Sequence, residues 1–198
     1  MKEYYERFRE VGVALGKLFA LAVNLPEDFF IDKMDKAQDS FRCHSYPKIE
    51  NTGNNGFASH TDLGLLTLVS QEEGCNGLEV FDKDTNSWQL VEIPSIDTFV
   101  VNIGDLMMRW SNNEWISNEH RVILTSQPRF STAFFKVVNE DTRIECFPEF
   151  TKTRPAMYQP ITFREFAVTK MVALANIASS EEKKDQKIVS SKKPSPKF

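Results

Sequence analysis

The sequence predicts a mainly β fold with flanking helices, a double-stranded β-helix or jelly roll. Two observations lead there. After Asp39 the hydrophobic pattern changes from a helical period to short runs rich in β-branched and aromatic residues. Those runs, LLTLVS, GLEVF, WQLVEI, TFVVNI, LMMRW, HRVILT and STAFFKVV, are separated by turn-forming stretches such as EEGCNG, DKDTNS, PSID and SNNEW. Short strands at such regular spacing argue for an antiparallel double sheet.

Before the strands, Phe8, Val11, Leu15, Leu18, Phe19 and Ala22 mark a helix from Glu3 to Val23 with one buried face. Gly12 and Gly16 lower its propensity, so it must rely on packing, and they suggest close approach of another backbone. Pro26 restarts the chain into PEDFFIDKMDKA, expected as a short helix with acidic residues in its first turn. FRCHSYPKI is expected to be extended, and ENTGNNGFAS to be a polar loop. DKDTNS is the expected turn of a hairpin. After Pro148, Pro155 and Pro160, TFREFAVTKMVALANIA is expected to be a helix, with Thr162 and Glu165 forming a capping box.

These readings give one domain, residues 1–178, with a helical lead-in at 1–38, a jelly-roll core at 40–140 and a helical region at 160–178. The final residues, 179–198, hold six lysines and three acids with almost nothing to bury, and are expected to be a disordered tail. A chain of 198 residues suffices for one sizeable core. With 41% apolar and 26% charged residues and a formal charge of −4, it reads as a soluble globular protein with no attraction to nucleic acid or an anionic membrane. Cys43, Cys75 and Cys146 are too scattered for a disulfide framework. With no secretory leader in MKEYYERFRE, they suggest a cytoplasmic address.

The chemistry is concentrated in a few side chains. His60 and Asp62 stand two apart in SHTDLGLLTLVS, a spacing that on extended backbone turns both toward one metal. His120, in EHRVILT, can supply a third ligand from a distant strand. Two histidines and one carboxylate are the ligands of non-haem Fe(II) oxygenases, although a zinc hydrolase could use the same set. Arg129 and Ser131 alternate onto one strand face, where a guanidinium and a hydroxyl could hold the far carboxylate of a dicarboxylate.

Taken in order, HTD at 60–62, HRV at 120–122 and RFS at 129–131 resemble the iron and 2-oxoglutarate dependent dioxygenase superfamily. The segments HTDLGLLT, GLEV with Trp88, and VNIGD are similar more narrowly to its isopenicillin N synthase-like branch. The resemblance covers roughly Glu3 to Lys170. It implies that His60, Asp62 and His120 bind Fe(II), and that Arg129, Ser131 and Tyr46 bind 2-oxoglutarate. It further implies O2-dependent oxidation of a small organic substrate, typically hydroxylation, coupled to decarboxylation of 2-oxoglutarate to succinate and CO2. Asn102 and Asp105 are implied to be structural, with Gly104 serving a turn.

Two departures stand out. His44 occupies a position where many relatives have asparagine, and relatives carry a substantial amino-terminal portion before the first helix of this chain. The alternative is therefore a catalytically inactive, shortened homologue that retains metal and 2-oxoglutarate binding, with an unpaired sheet edge. Phe41, Trp110, Phe134 and Phe135 are candidates for the substrate-facing wall, with Phe134 and Phe135 pointing to opposite faces of one strand.

Overall fold

The computed structural model describes residues 1–49, 55–93, 95, 97–173 and 175. Two four-stranded antiparallel sheets face each other as a double-stranded β-helix. The first contains β1 (Ser40–Tyr46), β8 (Arg129–Lys136), β3 (Leu66–Gln71) and β6 (Val100–Ile103), in that order. The second contains β2 (Asn55–His60), β7 (His120–Ile123), β4 (Leu78–Asp82) and β5 (Ser87–Leu90). A small pair, β9 (Arg143–Ile144) with β10 (Ile161–Thr162), precedes helical residues 163–173. Thr162 and Glu165 form the expected capping box, each side chain bonding the other's backbone N–H. The DKDTNS hairpin also forms, pairing Asp82 with Ser87.

Helix α1 (Lys2–Ala22) covers the outer face of the first sheet. Its buried stripe is Phe8, Gly12, Gly16 and Ala20, while Leu18 and Ala22 are exposed. The glycines make room for side chains rather than for another backbone. Gly12 lies over Lys136 and Phe134, and Gly16 over Met34. Lys136 is fully buried and paired with the equally buried Asp39 at 2.8 Å, which fixes the start of β1 against the end of β8. Phe8, Leu66, Leu68 and Phe134 form the core between helix and sheet.

Three expectations need correction. LMMRW is not a strand but helix α3 (Asp105–Trp110). Leu106, Met107 and Trp110 are its buried residues, a helical spacing that a five-residue window does not separate from a strand. The helix in PEDFFIDKMDKA is only α2 (Ile31–Met34), because Asn139 takes the carbonyls of Asp32 and Lys33 and ends it. The stretch ENTGNNGFAS is a strand, β2, over Asn55–His60, while residues 50–54 lie outside the described residues. Gly56 allows this strand to pack tightly, since a Cβ there would stand 2.9 Å from Leu124. The proposed tail, 179–198, is also outside the described residues.

The loop between β2 and β3 is stitched to the corner between β6 and α3. Asp105 donates its backbone N–H to the Asp62 carbonyl at 2.7 Å, Leu106 to that of Gly64, and Gly104 to that of Leu65. Gly104 serves this close approach rather than a turn with positive φ. Its φ is −97°, and a Cβ would lie 2.1 Å from the Gly64 carbonyl oxygen. Gly104→Ala is therefore expected to lower stability by about 2–3 kcal/mol through overpacking, about 5–10 °C in Tm. Thermal unfolding followed by circular dichroism checks this; an unchanged Tm would show that the corner can open freely.

Candidate metal centre

His60 ends β2 and His120 begins β7, and the two are direct partners across that antiparallel pair. Asp62 is not on a strand; it sits in the stitched loop just after β2. The loop nevertheless returns its carboxylate to the histidines. His60 Nε2 lies 3.5 Å from one Asp62 oxygen and His120 Nε2 lies 3.6 Å from the other. One ligand atom from each residue falls within 4.8 Å of the others.

The surroundings orient all three groups. Nδ1 of His60 is 2.9 Å from the Ala58 carbonyl and Nδ1 of His120 is 3.1 Å from that of Asn118. A protonated Nδ1 bonded to a carbonyl leaves the Nε2 lone pair free for a cation. Asp62 accepts hydrogen bonds from Thr67 Oγ1 at 2.6 Å and Asn102 Nδ2 at 3.1 Å. Burial alone would raise its pKa, but the bond with His60, the charge of His120 and the bonds from Thr67 and Asn102 bring it down to about 2. The carboxylate is thus ionised at neutral pH and ready to bind a cation. Its stabilising contribution is present above the ordinary value of 3.8 and is lost as the pH falls toward about 2.

Sequence reasoning missed the direct part played by Thr67 and Asn102, and it missed Lys170 altogether. Lys170, from helical residues 163–173, donates to the carbonyl and the hydroxyl of Thr61 at 3.2 and 2.9 Å and pairs with Asp105. It latches the loop between His60 and Asp62 to the rest of the fold. No local motif announces it.

A cavity of about 310 Å³ opens between the sheets beside the triad. At the end of its floor lies Arg129, 2% exposed, with its guanidinium 4.2 Å from the Tyr46 ring. Two of its nitrogens, Nε and one Nη, are buried without a hydrogen-bond partner among the described residues. Buried guanidinium donors left unpaired are costly, so this site fits an anion. Ser131 lies on the same face of β8, and Tyr46 pairs with Arg129 across the strands. Gly77 keeps the space open: its φ is +139°, and a Cβ would meet the Arg129 guanidinium at 2.9 Å.

His44 shares this cavity, stacked near Tyr46, and stands outside the group of metal-binding side chains. Of the four aromatic candidates, only Phe135 lines the cavity. Phe134 and Phe41 face α1, and Trp110 is buried against Phe30 and Phe147. β-Strand alternation places Phe134 and Phe135 on opposite sides.

Residues 37–137 match the family model described as the 2OG-Fe(II) oxygenase superfamily. The chain belongs to this superfamily. Among curated relatives, the chain is 36% identical over 169 residues to the 2-oxoglutarate-Fe(II) type oxidoreductase hxnY of Emericella nidulans, covering 82% of this chain and 48% of the relative. Among solved structures, a full-length Neurospora crassa protein in complex with alpha-KG superposes with a TM-score of 0.79 at 26% identity, covering 88% of this chain and 56% of that one. JOX2, solved in complex with 2OG, Fe and JA, gives a TM-score of 0.73 at 30% identity, covering 84% and 50%. The chain spans about half the length of the curated relatives it matches. Among the described residues, no helix is long and apolar enough to cross a membrane.

Proposed function

We propose that this chain is an Fe(II)- and 2-oxoglutarate-dependent oxygenase that oxidises a small organic substrate and releases succinate and CO2 from the co-substrate. The observation that carries the reading is the pairing of two features in one cavity. A buried arginine with orphaned donors lies along the floor from a His-Asp-His triad whose Nε2 atoms and carboxylate converge. In this reading His60, Asp62 and His120 hold Fe(II), and Arg129, Ser131 and Tyr46 hold 2-oxoglutarate. The finer placement in the isopenicillin N synthase-like branch rests on the segments HTDLGLLT, GLEV and VNIGD. The single domain at 1–178, an intracellular address for a chain with three free thiols, and the use of O2 belong to the same proposal.

Fe(II) bound by these ligands supplies the O2 chemistry that couples decarboxylation to oxidation of a carbon centre. The chain's own residues bind, orient and shield. Thr67 and Asn102 hold the Asp62 carboxylate in place, and the Ala58 and Asn118 carbonyls fix the imidazoles. Arg129 neutralises and aligns the distal carboxylate, while its packing on Tyr46 limits its rotation. Val69, Ala133 and Phe135 give the cavity floor an apolar surface that excludes water from the reacting end.

The test is conversion of 2-oxoglutarate to succinate in air. Succinate formed with Fe(II), and lost when a chelator removes the metal, is the expected result. Binding of 2-oxoglutarate without succinate would favour the shortened, inactive homologue, and no binding at all would end both readings.

A further inference from the structure

The cavity contains a second guanidinium that the proposed reaction does not use. The inward face of β1 presents Ser40, Arg42, His44 and Tyr46 to the cavity, and the facing residues of β8 are Phe135, Ala133, Ser131 and Arg129. Across β8, strand β3 adds Thr67, Val69 and Gln71 opposite Phe135, Ala133 and Ser131. The floor is therefore a ladder of rows. Tyr46 and Arg129 occupy one end; Thr67, which bonds the metal-binding Asp62, occupies the other.

Arg42 stands in the row of Ala133 and Val69, and its guanidinium lies 5.1 Å from the centre of the Phe135 ring, toward the Asp62 end. Four residue steps along the strand separate it from Tyr46, about 13 Å. A co-substrate held by Arg129 leaves it free. An outward-facing arginine on an edge strand would serve only to discourage strand addition. Arg42 instead shares the face of the cavity-lining residues.

Its charge is also unmatched. It forms no hydrogen bond or ion pair among the described residues, and its one recorded partner is the ring of Phe135. Besides Arg42 and Arg129, the charged cavity-lining side chains are Lys170, which is paired with Asp105, and Asp62, which belongs to the triad. His44, lying between the two arginines, has its pKa lowered first by burial and then by both of them. The region is positive before any substrate arrives. With Arg129 assigned to 2-oxoglutarate, one cation remains beside an apolar floor of Val69, Ala133 and Phe135.

We propose that Arg42 is the anchor for a carboxylate of the prime substrate, and that the substrate class is small organic acids with an apolar or ring-shaped body. The carboxylate bonds the guanidinium, the body lies over Phe135 and Ala133, and the carbon to be oxidised extends toward Asp62. Arg42 then selects the substrate, while Arg129 selects the co-substrate. This proposal rests on the oxygenase reading above.

The experiment uses the full chain with Fe(II) and saturating 2-oxoglutarate under anaerobic conditions. Benzoate, phenylacetate, cinnamate and cyclohexanecarboxylate are each compared with their primary amides by ligand-observed NMR. At least one acid is expected to bind about tenfold more tightly than its amide, the difference expected for a hydrogen-bonded charge. Arg42→Gln should remove that preference, leave amide binding and 2-oxoglutarate affinity unchanged, and keep the Tm of the parent; Arg42→Lys should restore part of it. No acid preferred over its amide, or the same preference in Arg42→Gln, would overturn the proposal while leaving the oxygenase reading intact. A loss of 2-oxoglutarate affinity in Arg42→Gln would also overturn it, by assigning Arg42 to the co-substrate. Failure of the parent chain to bind 2-oxoglutarate with Fe(II) would remove the reading on which it rests.

Discussion

Asp62→Ala is expected to weaken Fe(II) binding by at least about 100-fold, beyond the 10–100-fold that follows the loss of a group supporting a metal ligand. Asp62 is the one anionic donor in the triad and is 4% exposed, so its charge faces the metal position rather than solvent. The change also strands Thr67 Oγ1 and Asn102 Nδ2, which now donate to its carboxylate. Asp62→Asn separates the two effects. It retains a side-chain oxygen of the same shape but removes the charge, so the fold should persist while the metal is lost. Fe(II) competition against a chromophoric chelator, with circular dichroism of each variant, measures both. Near-parental Fe(II) affinity in a folded Asp62→Asn protein would exclude Asp62 as a ligand.

Arg129→Met is expected to weaken 2-oxoglutarate binding by about 100-fold, since charge-assisted bonds from a guanidinium to a carboxylate contribute about 1.5–3 kcal/mol. The substitution keeps an unbranched chain over the Tyr46 ring and removes the two buried nitrogens that have no hydrogen-bond partner among the described residues. Those two nitrogens donate no hydrogen bond among the described residues. Stability should therefore change little or rise, while co-substrate affinity falls. That combination separates a binding arginine from a structural one, whose loss would lower the Tm and leave binding intact. Isothermal titration of the Fe(II)-loaded variant with 2-oxoglutarate and a thermal melt give the two readouts.

Much of the fold was legible because strand alternation is local. The face of β8 that carries Arg129 and Ser131 follows from period two alone, and so does the separation of Phe134 from Phe135. The triad was legible for a different reason: a histidine and an aspartate two apart, then a distant histidine and an RxS pair, form a sparse pattern with few other uses. What escaped notice depends on tertiary contact. The helix at Asp105–Trp110 forms where Gly104 must meet Gly64, and neither glycine stands out within its own segment. The strand ending in His60 is hidden in an asparagine- and glycine-rich stretch whose propensity opposes it. Lys170 reaches Thr61 across 109 positions, a contact no periodicity encodes. Arg42 was passed over because one arginine on a strand carries no signal until its row in the ladder is known.

The most direct test of the account is an anaerobic titration of the chain with Fe(II) and 2-oxoglutarate, following the weak visible charge-transfer band of the chelate. A band that grows, saturates stoichiometrically and is absent from a folded His120→Ala variant is the expected result. A parental protein that stays folded and shows no band, or a His120→Ala variant that retains it, would contradict the assignment of His60, Asp62 and His120 as the iron site.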